Sequence, residues 1–212
     1  MTFTLVSDGS SDRALVPILM WAIRRQGFVG AINYQWADLR NLRNPPQGLA
    51  ARILLSVHDY PCDLLFVHRD AEGSPPEQRV SEIANAVRSL PGDQLVVHVI
   101  PVRMMEAWLL CSPAAIRSAA GNPNGTAQLG IPDLRDVENL PDPKRLLHDL
   151  LREASELRAG RRRKSNVDKA IHRLADLIDD FSPLAQVPAF LHFTKGLEAA
   201  MKEYERRHPT GG

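Results

Sequence analysis

Five carboxylates stand where short apolar runs give way to turns. Asp8 and Asp12 flank Gly9-Ser10-Ser11 after the run Thr2 to Ser7. Asp70 and Glu72 close the run Asp63-Leu64-Leu65-Phe66-Val67-His68-Arg69, and Glu106 follows Leu95 to Val102 inside Arg103-Met104-Met105-Glu106-Ala107-Trp108. Acids gathered on one rim repel one another, and without a counter-charge some must take up protons near neutral pH. A divalent cation removes that conflict. Mg²⁺ and Mn²⁺ take hard oxygen ligands, keep several waters and leave positions open for phosphate oxygens, so an open carboxylate cluster suits them. Such a site can hydrolyse phosphodiesters, with one ion activating water and a second, ~3.5–4 Å away, stabilising the leaving oxygen. Asp70 and Glu72 are two apart, which puts both side chains on one side of an extended chain, where they could grip one cation.

Other residues could serve the same chemistry. Lys144 and Lys195 are candidates for stabilising charge on a scissile phosphate. Arg161-Arg162-Arg163-Lys164 is the one dense basic run and could bind nucleic-acid phosphates, although Glu153, Glu156 and Asp168 flank it and blunt its field. Each candidate also has an ordinary structural role. Asp12 suits the first turn of a helix, where the macrodipole favours an acid, Glu106 suits a helix start, and Trp108 suits packing. His68, two before Asp70, falls in a run that reads as a buried strand, where a satisfied core histidine is the usual occupant. The chain has no GxxxxGK[ST] phosphate loop and no GxGxxG, HExxH, GxSxG or cysteine-histidine zinc spacing.

The elements that must position these acids are legible in the periodicity. Leu15, Ile18, Leu19 and Ala22 form one helical stripe, stopped at Gly27; a strand is expected within 32–39. After Pro45-Pro46 a helix over 47–58 turns Leu49, Ile53, Leu54 and Val57 inward. The run 63–70 reads as a strand buried on both faces of a parallel sheet. Val80, Ile83, Ala84 and Val87 mark the next helix, and 95–102 the next strand. This alternation predicts an α/β fold, a mostly parallel sheet flanked by helices. The core is expected over residues 1–119. Residues 120–142, rich in Gly, Pro, Asn and Asp, form a long loop, and 143–207 form a C-terminal helical extension packed on the core. Its three stripes are Leu146/Leu147/Leu150/Leu151/Ala154, Val167/Ile171/Leu174/Ile178/Phe181 and Leu197/Met201/Tyr204. In such a sheet, ligands bind beyond the carboxyl ends of the strands, which is the edge where all five acids fall.

Composition narrows the class. With 212 residues and 44% hydrophobic content, the chain can bury a core without staples. Its 26 Lys+Arg balance 25 Asp+Glu, so total charge says nothing of partners. Cys62 and Cys111 have no partner spacing and read as reduced thiols. The start Met1-Thr2-Phe3-Thr4-Leu5-Val6-Ser7-Asp8 lacks a basic leader pattern, and no apolar run approaches the ~20 residues of a membrane span, so a cytoplasmic protein with no membrane partner is expected.

The ordered motifs carry a resemblance. Val6-Ser7-Asp8-Gly9-Ser10-Ser11-Asp12 is similar to the glutamate-glycine turn that opens Toprim-type domains and the Toprim-like DUF4276/RloB group. Leu65-Phe66-Val67-His68-Arg69-Asp70-Ala71-Glu72-Gly73 resembles the DxD strand end of that fold. Glu106-Ala107-Trp108-Leu109-Leu110 resembles the Glu-x-Trp-Leu-Leu segment of the DUF4276 group, Pro143-Lys144-Arg145-Leu146-Leu147 its Pro-Lys segment, and Phe190-Leu191-His192-Phe193 its C-terminal aromatic pattern. The resemblance implies a Toprim-like fold and, by analogy with overcoming-lysogenization-defect nucleases, a metal-dependent nuclease acting in anti-phage defence beside a partner ATPase. It implies catalytic roles for Asp8, Asp70, Glu72 and Lys144, and Mg²⁺ or Mn²⁺ held by Asp8, Asp12, Asp70, Glu72 and Glu106. Asp8 stands where the pattern has Glu, and Glu72 where it has Asp; each swap moves a carboxylate by one methylene. Two other readings fit the same residues: a catalytically silent Toprim-like module that serves an ATPase, and a receiver-like phosphoacceptor.

Overall fold

Along β1 the side chains alternate between two buried faces, and the whole architecture follows from that. In the computed structural model, which describes residues 1–9, 11–40, 42–90, 92–157 and 167–209, the strands are β1 (Thr2–Val6), β2 (Asn33–Trp36), β3 (Leu64–His68) and β4 (Leu95–Val99). All pairings are parallel, in the order β2-β1-β3-β4. Phe3, Leu5, Leu64, Phe66, Val97 and Val99 face one core layer, while Val6, Leu65 and Val67 face the other. A parallel sheet covered on both sides needs such near-continuous apolar strands.

The helices are α1 (Leu15–Arg25), α2 (Gly48–Asp59), α3 (Pro76–Ala86), α4 (Pro113–Ala119), α5 (Pro143–Ala154), α6 (Val167–Leu177) and α7 (Pro188–Arg207). The larger layer joins α1 to the C-terminal helices: Leu15, Leu19, Leu147, Leu174, Phe190 and Phe193 belong to one cluster with the strand residues. The smaller layer is Leu49 and Ile53 of α2 with Ile83 and Ala86 of α3. Two residues depart from the expected stripes. Leu54 is 50% exposed and Ala84 is exposed, because this smaller layer buries only a narrow face of each helix, Leu49/Ile53/Ser56 in α2 and Ile83/Ala86 in α3.

Residues 120–142 hold one 3-10 segment, Leu134–Asn139, whose Val137 is fully buried. Glu156 fastens the rest: its Oε1 accepts the Thr126 and Ala127 N–H groups at 2.6 and 2.7 Å, and Arg117 donates to the Ala127 carbonyl at 2.6 Å. Backbone groups outside regular structure find side-chain partners instead. Cys62 and Cys111 are both free; burial pushes the Cys111 thiol up to about 12, which keeps it unreactive. Among the described residues, no helix is long and apolar enough to cross a membrane. The basic run 161–164 lies outside the described residues.

Candidate functional site

The strand order sets where a ligand can enter. From β1 the chain runs to β2 on one side, and from β3 it runs to β4 on the other. The crevice beyond the carboxyl ends of β1 and β3 is therefore the switch point of the sheet. A cavity of about 290 Å³ opens there, lined by Asp8, Asp12, Asp70, Glu72, Glu106 and Lys144 together with His68 and Arg79. The five acids and Lys144 thus meet at one place. Lys195 is exposed on α7 and takes no part in it.

Depth divides the six. Asp12 and Glu106 are 5% and 3% exposed. Asp12 sits in the 3-10 turn Ser11–Ala14 ahead of α1, and its Oδ2 accepts the Gly9 N–H at 2.6 Å. The approach is close: a Cβ at Gly9 would lie 3.0 Å from Asp12 Oδ1, so a larger residue there would push that carboxylate by a few tenths of an ångström. Glu106 sits in the 3-10 segment Met105–Cys111 after β4, and its Oε1 is 3.6 Å from Lys144 Nζ. Lys144 is the second residue of α5, whose N-cap Asp142 accepts the Arg145 N–H at 2.8 Å. Asp142→Ala is expected to cost about 1 kcal/mol of stability, the usual value of such a cap. Thermal unfolding of the variant checks this; an unchanged midpoint would show that the cap does not hold the start of α5.

Asp8 and Glu72 stand at the rim, and the structure departs here from the expected pairing of Asp70 with Glu72. β3 ends at His68, and Glu72 takes a left-handed conformation with φ 54°, followed by Gly73 at φ 84°. The chain is no longer extended, so Glu72 turns outward, 70% exposed, with Oε2 3.4 Å from Arg79. Gly73 is favoured because its φ of 84° is a conformation that residues with a Cβ rarely adopt. Asp8 is ion-paired with both Arg52 of α2 and Arg69. These arginines were not singled out in the sequence. Arg69 could have been, as a neighbour of Asp70, whereas nothing local marks Arg52, which reaches the site only through the tertiary fold.

Asp70 is the centre of the cavity. Its backbone carbonyl is held by Arg79 Nε at 3.0 Å, yet its buried Oδ1 has no hydrogen-bond partner. Burial first, then the fields of Asp12, Glu106 and Glu72, push its carboxyl up to about 6, opposed by His68. An orphaned carboxylate oxygen among like charges is a place short of one positive charge. Among the described residues, no group of three or more His, Cys, Asp or Glu side chains is arranged to hold a metal ion as the side chains stand. The donor chemistry nevertheless fits a small divalent cation, since the deep groups are hard carboxylate oxygens around an unsatisfied one.

Among the described residues, the fold and cavity define a four-stranded, all-parallel α/β protein with an acidic site at its switch point. No protein-family model, curated protein or solved structure matches the chain.

Proposed function

We propose that this protein is a Mg²⁺- or Mn²⁺-dependent hydrolase of nucleic-acid phosphodiesters built on a Toprim-like scaffold. The observation that carries the reading is Asp70, whose buried Oδ1 lacks a partner while Asp12 and Glu106 crowd the same cavity. A bound divalent cation would supply the missing charge, activate water and stabilise the leaving oxygen. Asp12, Asp70 and Glu106 would hold it, with Asp8 and Glu72 available at the rim for a second ion. Lys144 lines the cavity beside Glu106 and is 43% exposed, so its ammonium could neutralise charge on an incoming phosphate. Nucleic acid as the substrate, a partner ATPase and a role in anti-phage defence come from the motif resemblance and belong to the same proposal. The chain carries no Walker phosphate loop, so ATP-driven behaviour would come from that partner.

The test begins with the ion. Calorimetric titration of Mn²⁺ into the protein should give saturable binding that Asp70→Asn abolishes, and Asp70→Ala should reduce metal-dependent cleavage of DNA or RNA to background with the circular-dichroism spectrum intact. An Asp70→Ala variant that cleaves like the parent would refute the assignment.

A second reading, a catalytically silent module that serves an ATPase, is favoured by one observation. Asp8 is already paired with Arg52 and Arg69, Glu72 with Arg79 and Glu106 with Lys144, so three of the five acids have cationic partners within the chain. Absence of Mn²⁺ binding, together with co-elution with an ATPase on gel filtration, would select it.

A further inference from the structure

The last residue of β3, His68, lies at the step from strand to acidic turn and lines the same cavity. His68 is 2% exposed, and β3 and β4 are registered so that it lies opposite Val99. Its Nδ1 is 3.0 Å from the Val99 carbonyl oxygen. A carbonyl can only accept, so Nδ1 carries the hydrogen and donates it. The ring is thereby fixed with Nε2 pointing the other way, into the acidic cavity. There it faces Asp70 Oδ1 at 3.5 Å and Asp12 Oδ2 at 3.9 Å.

Those two distances select between explanations. A ring nitrogen that shared a proton with a carboxylate would close to about 2.7–2.9 Å. Here both gaps are wider, and Asp70 Oδ1 has no hydrogen-bond partner at all. Donors on one octahedral ion, each ~2.1 Å from it, lie ~3 Å apart when adjacent and farther when the angle opens. A ring whose Nδ1–H is anchored on a backbone carbonyl while Nε2 faces carboxylates without hydrogen-bonding them is also the arrangement by which proteins orient a metal-ligating histidine.

Building on the metal-dependent reading above, we propose that His68 Nε2 is a direct ligand of the bound cation and gives the cavity a preference for Mn²⁺ over Mg²⁺. Carboxylates alone serve both ions. An imidazole nitrogen favours transition metals, and Mg²⁺ gains little from it. Asp12, Asp70 and Glu106 supply the oxygens and His68 the nitrogen, with Lys144 beside Glu106 in the wall. The backbone anchor keeps the nitrogen aimed whether or not the ion is bound, so the selectivity is built into the β3–β4 register.

Calorimetric titrations of MnCl₂ and MgCl₂ into the parent and His68→Asn test this. An asparagine amide can keep the donor to the Val99 carbonyl but places nothing at the position of Nε2. The expected result is a loss of Mn²⁺ affinity of tenfold or more, with Mg²⁺ affinity changed less than threefold. Equal losses for both ions, or no loss for Mn²⁺, would overturn the ligand role while leaving the metal-dependent reading intact; a parent protein that binds neither ion would overturn both. A measurement on the parent chain alone guards against a variant that does not fold. With one equivalent of Mn²⁺, pulsed electron paramagnetic resonance should show nitrogen modulation that changes when histidine is ¹⁵N-labelled. Among the described residues lining the cavity, His68 is the only histidine, and the absence of that modulation would reject the proposal.

Discussion

Asp70→Asn should make the metal-free protein more stable at neutral pH while removing its response to divalent cations. The sign follows from the direction of the shift. The Asp70 carboxyl is pushed up to about 6 in the folded chain from an ordinary 3.8, so between about pH 4 and 6 the folded state binds more protons than the unfolded one. Stability then falls as pH rises through that window, and above pH 6 the full penalty of an ionised, poorly partnered carboxylate is in place. At ~1.4 kcal/mol per pKa unit, that penalty is roughly 1–3 kcal/mol, the lower part of the range allowing for the 27% of the side chain that water reaches. Asparagine carries no charge, so its advantage should be absent below pH 4, grow to pH 6 and then hold steady. Urea titrations of both proteins in a chelator, at pH 4, 5.5 and 7.5, read this directly. A variant that is less stable than the parent at pH 7.5 would show that the carboxylate is satisfied as it stands. Adding Mn²⁺ at about a thousand times its dissociation constant should then reverse the ranking, because a ligand that binds only the folded state stabilises it by about 4.1 kcal/mol at that concentration. The parent should gain and the variant should not.

That trade between stability and binding explains which parts of the site were legible in the sequence. The acids were found because strand ends in a parallel sheet are marked by an abrupt change from apolar to charged residues, as at His68-Arg69-Asp70 after Leu64-Leu65-Phe66-Val67. The sequence also places Trp108 in packing and the C-terminal stripes against the sheet, since periodicity reports burial. Depth was not legible. Asp12 and Glu106, with ordinary helix-start readings of their own, are the buried acids, and Asp8 and Glu72 are the ones at the rim. The reason is that depth here depends on tertiary partners. Arg52 arrives at Asp8 from α2, 44 positions along the chain, and no local pattern announces it. Glu72 is turned out by a left-handed backbone conformation before Gly73, which two-residue spacing cannot reveal. The orientation of His68 depends on which carbonyl lies opposite it, and only the register of β3 on β4 supplies that.

The second large effect tests how the site is mounted. Trp108→Ala should destabilise the protein by about 3–5 kcal/mol, the range for removing a large aromatic from a packed core, against a total of about 5–15 kcal/mol for a domain. Trp108 is 1% exposed. Its ring meets Phe190 edge-on at 5.1 Å and Phe193 at 5.9 Å, and Phe193 continues to Phe66 of β3 at 6.2 Å. One aromatic chain thus ties the 3-10 segment Met105–Cys111 to α7 and to the sheet. Glu106 lies two residues before Trp108 on that segment, so the packing that holds Trp108 also holds the carboxylate beside Lys144. Trp108→Phe keeps most of the buried area and should recover most of the stability, together with parental Mn²⁺ affinity. Trp108→Ala, at a temperature where it is still folded, should bind Mn²⁺ more weakly than Trp108→Phe. Urea midpoints and calorimetric titrations on the two variants measure both quantities. An alanine variant within 1 kcal/mol of the parent would mean that the cluster does not anchor the segment. Loss of stability with unchanged Mn²⁺ affinity would mean that Glu106 is positioned by Lys144 and α5 rather than by the aromatic core.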